Sequence, residues 1–399
     1  MGPLVPTPPI LQDSPMARDD KKRKFRADFR KKHQSRSRQR DLTRDYAAGD
    51  QSFDETPLSE RVSGKGDLTR KRTVVGGSIC QQDSGGLTVQ LGIDESHCVL
   101  GRVTSVHGVT SFVETTTGER YRCATRGVLK SLSTDQRHVV AVGDQVWLRP
   151  EPARNGVHEG IIERIEPRHG VLSRTSKGRR HVLVANVDQL LIVTSAAEPV
   201  LKPNLIDRML VTAEKSELRP LICINKIDLV DPADLQPLAG VFGQMGYEVL
   251  MLSAATGFGI DHLRQRVVGR QSVVAGQSGV GKSSLLNLME PGLKLRVQTV
   301  SEENQKGRHT TSAACLLPLS GGGFIVDTPG IRQFQLWDVI PEEVAGFYRD
   351  VRPFVCLCRF PDCTHRHEAD CAVKDAVADN RLDARRYESY CHLFSGAAD

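Results

Sequence analysis

No stretch of the 399-residue chain approaches the roughly 18 uninterrupted apolar residues that a membrane-crossing helix needs, and runs such as Leu190 to Val193 are only strand-sized. A protein without a membrane span is expected. The first 15 residues are Pro-rich and have no apolar signal-peptide core, and position six lacks the Ser or Thr that myristoylation of Gly2 would require, so neither secretion nor lipid anchoring is expected. Met16 is an alternative start. There is no internal repeat, which excludes a solenoid or a collagen-like chain. Ten cysteines without a secretory signal argue for reduced thiols in the cytoplasm rather than a disulfide framework. What is present is an apolar fraction of 39%, enough for a substantial core, and a length that at about 150 residues per domain suggests two or three domains.

The formal charge of +6 is unevenly spread. Between Arg18 and Arg40 there are 12 Lys or Arg against three Asp, so that segment carries +9 and the rest of the chain −3. Mobile hydrated cations gain free energy by releasing counterions from a polyanion, so RNA or DNA is the expected partner of this arm, with a solubilising tail as the alternative. Phe25 and Phe29 do not make an amphipathic face, which disfavours a membrane surface.

Residues 1–87 are expected to be a disordered basic arm followed by a linker. Alternating runs from Thr88 onward, separated by Gly-containing turns, predict about five strands, a small antiparallel barrel of the oligonucleotide-binding type over 88–170. From 171 to 340 strand and helix alternate, with Gln189 to Ser195 a buried strand, Leu205 to Leu218 a helix and Leu221 to Ile224 another strand. This predicts an α/β domain with a mostly parallel sheet. Residues 341–399 hold two helical patterns, Glu342 to Arg349 and Leu382 to Phe394, around a Cys- and His-rich segment.

The sharpest signal is Gly276-Gln277-Ser278-Gly279-Val280-Gly281-Lys282-Ser283, a phosphate loop between an apolar strand and a helix that opens at Ser284. Glycines let backbone N–H groups wrap phosphates, Lys282 is expected on the β- and γ-phosphates, and Ser283 on Mg²⁺. Asp327-Thr-Pro-Gly330 follows a further strand, placing a carboxylate near Mg²⁺ and a Gly330 N–H near the γ-phosphate. Asn225-Lys226-Ile-Asp228 follows the strand at Leu221. The Asp228 carboxylate can accept from the ring N–H and the exocyclic amine of guanine, a pattern adenine lacks, while Asn225 braces the loops and the Lys226 stem covers the base. Ser253-Ala254 fits a loop that sends a backbone N–H to guanine O6.

These elements describe a GTPase in an unusual order, because the guanine-reading segments at 225 and 253 precede the phosphate loop at 276. With a barrel before and a Cys/His segment after, the chain resembles the ribosome small subunit-dependent GTPase A family, circularly permuted GTPases, over roughly residues 75–395. Pro167-Arg-His-Gly-Val-Leu-Ser-Arg, Ala185-Asn-Val-Asp-Gln-Leu, Gly307-Arg-His-Thr-Thr311 and Asp327-Thr-Pro-Gly-Ile-Arg add to it. The resemblance implies GTP hydrolysis stimulated by the small ribosomal subunit, rRNA contact and a role in late subunit maturation, with GDP as the product state. A monomer is expected. An assembly switch on another ribonucleoprotein, such as the large subunit, and an RNA-binding scaffold with a barely active GTP site are the rival readings.

Ile331 stands where many GTPases carry a water-orienting glutamine, so another group must do that work. The resembled family carries a histidine at the place of His309, which implies His309 as the catalytic residue. Thr310 and Thr311 lie beside it, and Thr311 is assigned to the Mg²⁺ shell in the GTP state.

Cys358, Cys363, His365 and Cys371 offer three thiolates and an imidazole for a closed, structural Zn²⁺ site, although Cys356 is a geometric alternative to Cys358. The family pattern, with Phe354 four residues before the first ligand, favours Cys358. Arg381, Arg385 and Arg386 on the last helix are read either as phosphate contacts or as a solvated face.

Overall fold

The computed structural model describes residues 92–127, 129, 139–154, 156–176, 179–293, 295, 314–327 and 339–396. It also describes five short strands, β1 (Lys24–Asp28), β2 (Arg61–Ser63), β3 (Lys71–Val75), β4 (Ser78–Gln81) and β5 (Leu87–Gln90). The chain divides into two units, residues 1–80 with 88–92, and residues 81–87 with 93–399. In the first, an antiparallel sheet has the order β1-β3-β2, and β4 pairs with β5. The β-branched run Thr73-Val74-Val75 gives β3 its strand character, so strands occur within the stretch read as arm and linker.

The second unit begins with a barrel. Strands β6 (Val99–His107), β7 (Thr110–Thr115), β8 (Arg120–Thr125), β9 (Gln145–Arg154) and β10 (Val157–Ile165) run in the order β6-β7-β8-β10-β9, and β9 pairs back onto β6 to close it. Alternation decides what is inside. Along β8 the exposed Arg120 and Arg122 flank the buried Tyr121 and Cys123, and the interior is filled by Val103, Val113, Val146, Leu148 and Ile162.

After the hairpin β11 (Leu172–Ser176) and β12 (Arg179–Val184), strands and helices alternate. They are β13 (Gln189–Ser195), α1 (Pro203–Lys215), β14 (Arg219–Asn225), α2 (Gln236–Gln244), β15 (Glu248–Met251), α3 (Ile260–Val267), β16 (Gln271–Ala275), α4 (Lys282–Met289), β17 (Cys315–Pro318) and β18 (Phe324–Asp327). The sheet order is β15-β14-β13-β16-β18-β17, parallel except for β17. The central strand β13 is a continuous apolar run because both its faces are covered. Leu190 and Ile192 enter the core beneath α1, while Leu191 and Val193 enter the core beneath α3 and α4. Strand β17 also pairs with β6 at Cys315 and Ser105, which makes barrel and sheet continuous.

Two stretches that carry the family resemblance prove to join barrel and sheet. The Arg168 guanidinium donates Nε and Nη2 to the buried Asp144 carboxylate, each at 2.7 Å. The Asn186 amide donates to Gly143 O at 3.0 Å and accepts from His169 N at 3.1 Å.

The C-terminal segment folds as α5 (Val344–Phe347), α6 (Arg352–Val355), α7 (Ala372–Ala378) and α8 (Ala384–Phe394). The positions Arg386, Ser389, Tyr390 and Leu393 form one buried helical face of α8. Their core includes Tyr348, Val351 and Val373, and Val211 of α1 joins it. Arg386 is buried and Arg385 is half-buried, and both are engaged by carboxylates, where the sequence reading offers phosphate contacts or a solvated face. Arg386 is 1% exposed, donates to Asp207 Oδ1 of α1 at 2.5 Å and to both Asp350 oxygens at 2.8 and 2.9 Å, and lies over the Tyr348 ring. Arg385 donates to the other Asp207 oxygen at 2.9 Å. A buried carboxylate needs such partners, and a helix face at the right spacing supplies them. Arg381 pairs with Asp379 at the surface. Among the described residues, no helix is long and apolar enough to cross a membrane.

Replacing Arg386 with Met removes two of these ion pairs and leaves the Asp350 carboxylate without this guanidinium. We expect a loss of about 3–5 kcal/mol in unfolding free energy, read as a lower urea midpoint of the full chain.

Candidate nucleotide and metal sites

Strands β13, β14, β15, β16 and β18 are parallel, so their carboxyl ends share one sheet edge, and the loops that follow them converge there. The phosphate loop connects β16 to α4. Two of its glycines are obligatory. A Cβ at Gly276, whose φ is +148°, would stand 2.0 Å from Val193 O, and one at Gly281, φ +90°, would stand 2.4 Å from Asn225 Nδ2. Val280 is buried and anchors the loop, whereas Ser278 is exposed and Gln277 and Gly279 are half-buried. Lys282, Ser283 and Ser284 form the first turn of α4, whose N-terminus has no side-chain cap, a geometry that suits an anion. The Lys282 ammonium donates to Gly276 O at 2.8 Å and Gln277 O at 2.6 Å, folding over the loop that it would share with phosphates.

Asn225 ends β14 and is 1% exposed. Its amide nitrogen donates to Val280 O in the phosphate loop at 2.8 Å, and its oxygen accepts from Ala254 N at 3.0 Å. One side chain thus fastens the loop after β14 to the loops after β16 and β15. The Ser253 hydroxyl is also central, donating to Asp228 Oδ1 at 2.5 Å and accepting from Thr256 N at 3.1 Å. Lys226 has a left-handed φ of 62°, and its ammonium donates to Glu198 O.

The backbone of Asp327 ends β18, adjacent to β16, on the same edge as the phosphate loop. Gly330, His309 and Thr311 lie outside the described residues, as does the side chain of Asp327. Sequence reading passed over the turn after β13. There the Ser195 hydroxyl donates to Pro199 O at 2.6 Å, Ala196 N donates to Asn225 O at 2.8 Å, and a Cβ at Gly279 would meet Pro199 Cδ at 3.7 Å. No motif marks this turn, since its contacts run through backbone carbonyls.

A second cluster lies in the C-terminal segment. The ligand atoms of Cys358, Cys363, His365 and Cys371 all fall within 4.8 Å of one another, a set that can hold a metal ion. His365 Nδ1 is 3.3 Å from Cys358 Sγ and 3.6 Å from Cys371 Sγ. Cys356 is exposed and lies outside this set. The cluster is held from outside. Tyr387 and Tyr390 on α8 donate to His365 O and Thr364 O, each at 2.8 Å. The Glu368 carboxylate accepts from the Thr364 hydroxyl and from the Thr364, Arg366 and His367 N–H groups, and these bonds, the hydroxyl first, hold it well below the usual carboxylate range. Burial pushes the Cys363 thiol up to about 12 and the His365 imidazole below its ordinary value, so thiolates gathered here need a cation to balance them.

A phosphate loop, a guanine-type Asn-Lys-x-Asp loop earlier in the chain and a common sheet edge define a circularly permuted GTPase. The profile of the RsgA GTPase family matches residues 165–337. The small ribosomal subunit biogenesis GTPase RsgA of Chlorobaculum parvum is 40% identical over 301 residues, covering 73% of this chain and 96% of that protein. Its namesake in Thermotoga petrophila is 40% identical over 298 residues, 74% of this chain and 95% of that one. Among solved structures, YjeQ from Thermotoga maritima matches with a TM-score of 0.62 and 37% identity over 75% of this chain and 98% of that one. YloQ, described as a circularly permuted GTPase, matches with a TM-score of 0.59 and 28% identity over 75% and 95%. The chain belongs to the RsgA GTPase family.

Asn225→Ala would leave Val280 O and Ala254 N without their shared partner. At about 1–3 kcal/mol for a buried group so abandoned, guanine-nucleotide affinity should fall roughly tenfold or more while the far-ultraviolet circular dichroism stays native. Calorimetric titration with GDP measures it.

Proposed function

We propose that this chain hydrolyses GTP during late maturation of the small ribosomal subunit, with the subunit and its rRNA as activating partner, in the cytoplasm. The observation that carries the reading is the Asn225 amide, which ties the base-reading loop to the phosphate loop in spite of their reversed order. The relatives named for small-subunit biogenesis support the choice of subunit. In this division of labour the arm and linker occupy 1–87, the RNA-facing barrel 88–170, the GTPase domain 171–340 and the metal domain 341–399.

At the nucleotide, Asp228 accepts from the guanine ring N–H and amine, Ala254 N serves O6, and the Lys226 stem covers one face of the base. N–H groups from Gly276 to Ser284 cradle the phosphates, with Lys282 on the β- and γ-oxygens and the Gly330 N–H beside the γ-phosphate. The oxygen donors Ser283, Thr311 and Asp327 suit Mg²⁺, since Ser283 opens α4 and Asp327 closes the neighbouring strand. Bound there, Mg²⁺ neutralises charge on the transferred phosphoryl group. His309 orients the attacking water in place of the missing glutamine, since Ile331 can neither donate nor accept. In the C-terminal domain, three cysteines and one histidine suit a Zn²⁺ ion with no open coordination position, a structural site that contributes folding energy.

The test is phosphate release by the pure chain alone, with small subunits and with large subunits. Stimulation by small subunits only is expected. Stimulation by large subunits instead favours another assembly switch, and no stimulation by either favours a scaffold. In the same assay Lys282→Ala should abolish phosphate binding. His309→Ala should lower stimulated turnover by about a hundredfold while GTP affinity changes less than about twofold, and an equal loss of affinity in both variants overturns the role given to His309.

A further inference from the structure

We infer that Ser195, at the end of β13, is a positioning residue for guanine-nucleotide affinity, acting through the turn 196–199 on Lys226. The inference rests on the guanine-nucleotide reading above and adds a part to that site.

Three contacts make the turn a third wall of the site. The Ser195 hydroxyl, on a side chain 1% exposed, donates to Pro199 O at 2.6 Å and closes the turn on itself. The turn is stitched to the base-reading loop at its start, where Ala196 N donates to Asn225 O at 2.8 Å. It is stitched again near its end, where the Lys226 ammonium donates to Glu198 O. A Cβ at Gly279 would meet Pro199 Cδ at 3.7 Å, so the turn lies near the phosphate loop.

A lysine stem has four rotatable bonds, and holding its far end in advance lowers the entropy lost when it is laid over a base. Here the holder is a neutral peptide carbonyl, so the ammonium is fixed in place by a hydrogen bond without an ion pair. The carbonyl is itself held, since Glu198 is the residue before the one whose oxygen Ser195 grips. Removing the Ser195 hydroxyl frees Pro199 O and with it the carbonyl that anchors Lys226. Asp228 would still recognise the guanine edge, being held separately by Ser253. The cost falls on the base face and thus on binding, while the groups that act on the γ-phosphate are untouched.

The experiment uses the full chain and the variants Ser195→Ala, Ser195→Thr, Lys226→Ala and the double variant Ser195→Ala with Lys226→Ala. Calorimetry with GDP, GTP and ATP gives affinities, and phosphate release at saturating GTP with small subunits gives turnover. Ser195→Ala is expected to weaken GDP and GTP about tenfold with turnover at saturation within about twofold of the parent, and Ser195→Thr to restore affinity. Because Ser195 acts through Lys226, the double variant should bind no more weakly than Lys226→Ala alone. Unchanged affinity in Ser195→Ala, or additive losses in the double variant, overturns the inference. Should Ser195→Ala fold poorly, Pro199→Gly loosens the turn from its surface end and must show the same loss of affinity at constant turnover, or the inference falls. A parent chain that binds ATP as tightly as GTP overturns the functional reading itself, whereas a parent that prefers GTP beside an unaffected Ser195→Ala overturns this inference alone.

Discussion

The carboxamide of Asn225 is the joint on which the nucleotide site depends. It lies at a strand end, buried, and uses its two unlike ends on two different loops, an oxygen on Ala254 N and a nitrogen on Val280 O. Aspartate could not donate to a carbonyl, and a glutamine would displace both loops by a bond length. Because the two contacts span 29 and 55 residues of chain, they specify the place of the loops in space and are indifferent to which loop comes first. Circular permutation is physically cheap in such a sheet for this reason. All the loops already meet at one carboxyl edge, and new termini need only surface positions. The glycine at 281 completes the joint, since a side chain there would strike the Asn225 nitrogen.

The parts around that sheet are attached by buried charge as well as by apolar packing. Asp144 and Asp207 are both fully buried, and each is met by an arginine from a different segment, Arg168 for the first and Arg385 with Arg386 for the second. Apolar contact alone would hold these interfaces in several sliding registers. A buried carboxylate tolerates only the register in which its guanidinium arrives, and any other arrangement leaves a charge uncompensated. Backbone pairing between β17 and β6 adds a third fixed relation, this time between the barrel and the strand beside β18.

What was legible in the sequence follows from how local each signal is. The phosphate loop could be read because Gly276 and Gly281 answer to backbone geometry, and the strand β13 because an uninterrupted apolar run fits only a doubly covered strand. The barrel could be read from alternation such as that of Arg120, Tyr121, Arg122 and Cys123. Arg385 and Arg386 could not, since their partner Asp207 lies 178 and 179 residues away and two adjacent arginines on a polar helix look solvated. Cys356 and Cys358 have equivalent spacing to the later ligands. Only the fold of 352–358 around α6 decides that Cys358 turns inward and Cys356 outward. The turn at 195–199 was illegible for another reason, because its partners are carbonyl oxygens that every residue possesses.

Helix α8 connects these observations into one mechanical chain. On one side Tyr387 and Tyr390 hold the carbonyls of His365 and Thr364, which shape the metal cluster. On the same helix Arg385 and Arg386 hold Asp207 of α1. Helix α1 starts at Pro203, a few residues after the turn whose carbonyl receives Lys226. The Cys/His cluster, α8, α1 and the turn that receives Lys226 therefore follow one another through side-chain hydrogen bonds and a short stretch of backbone. The two guanidiniums on Asp207 and the core that Val211 joins together dock α8 on α1, so the Cys/His segment is held to the sheet domain by charge and apolar packing at once.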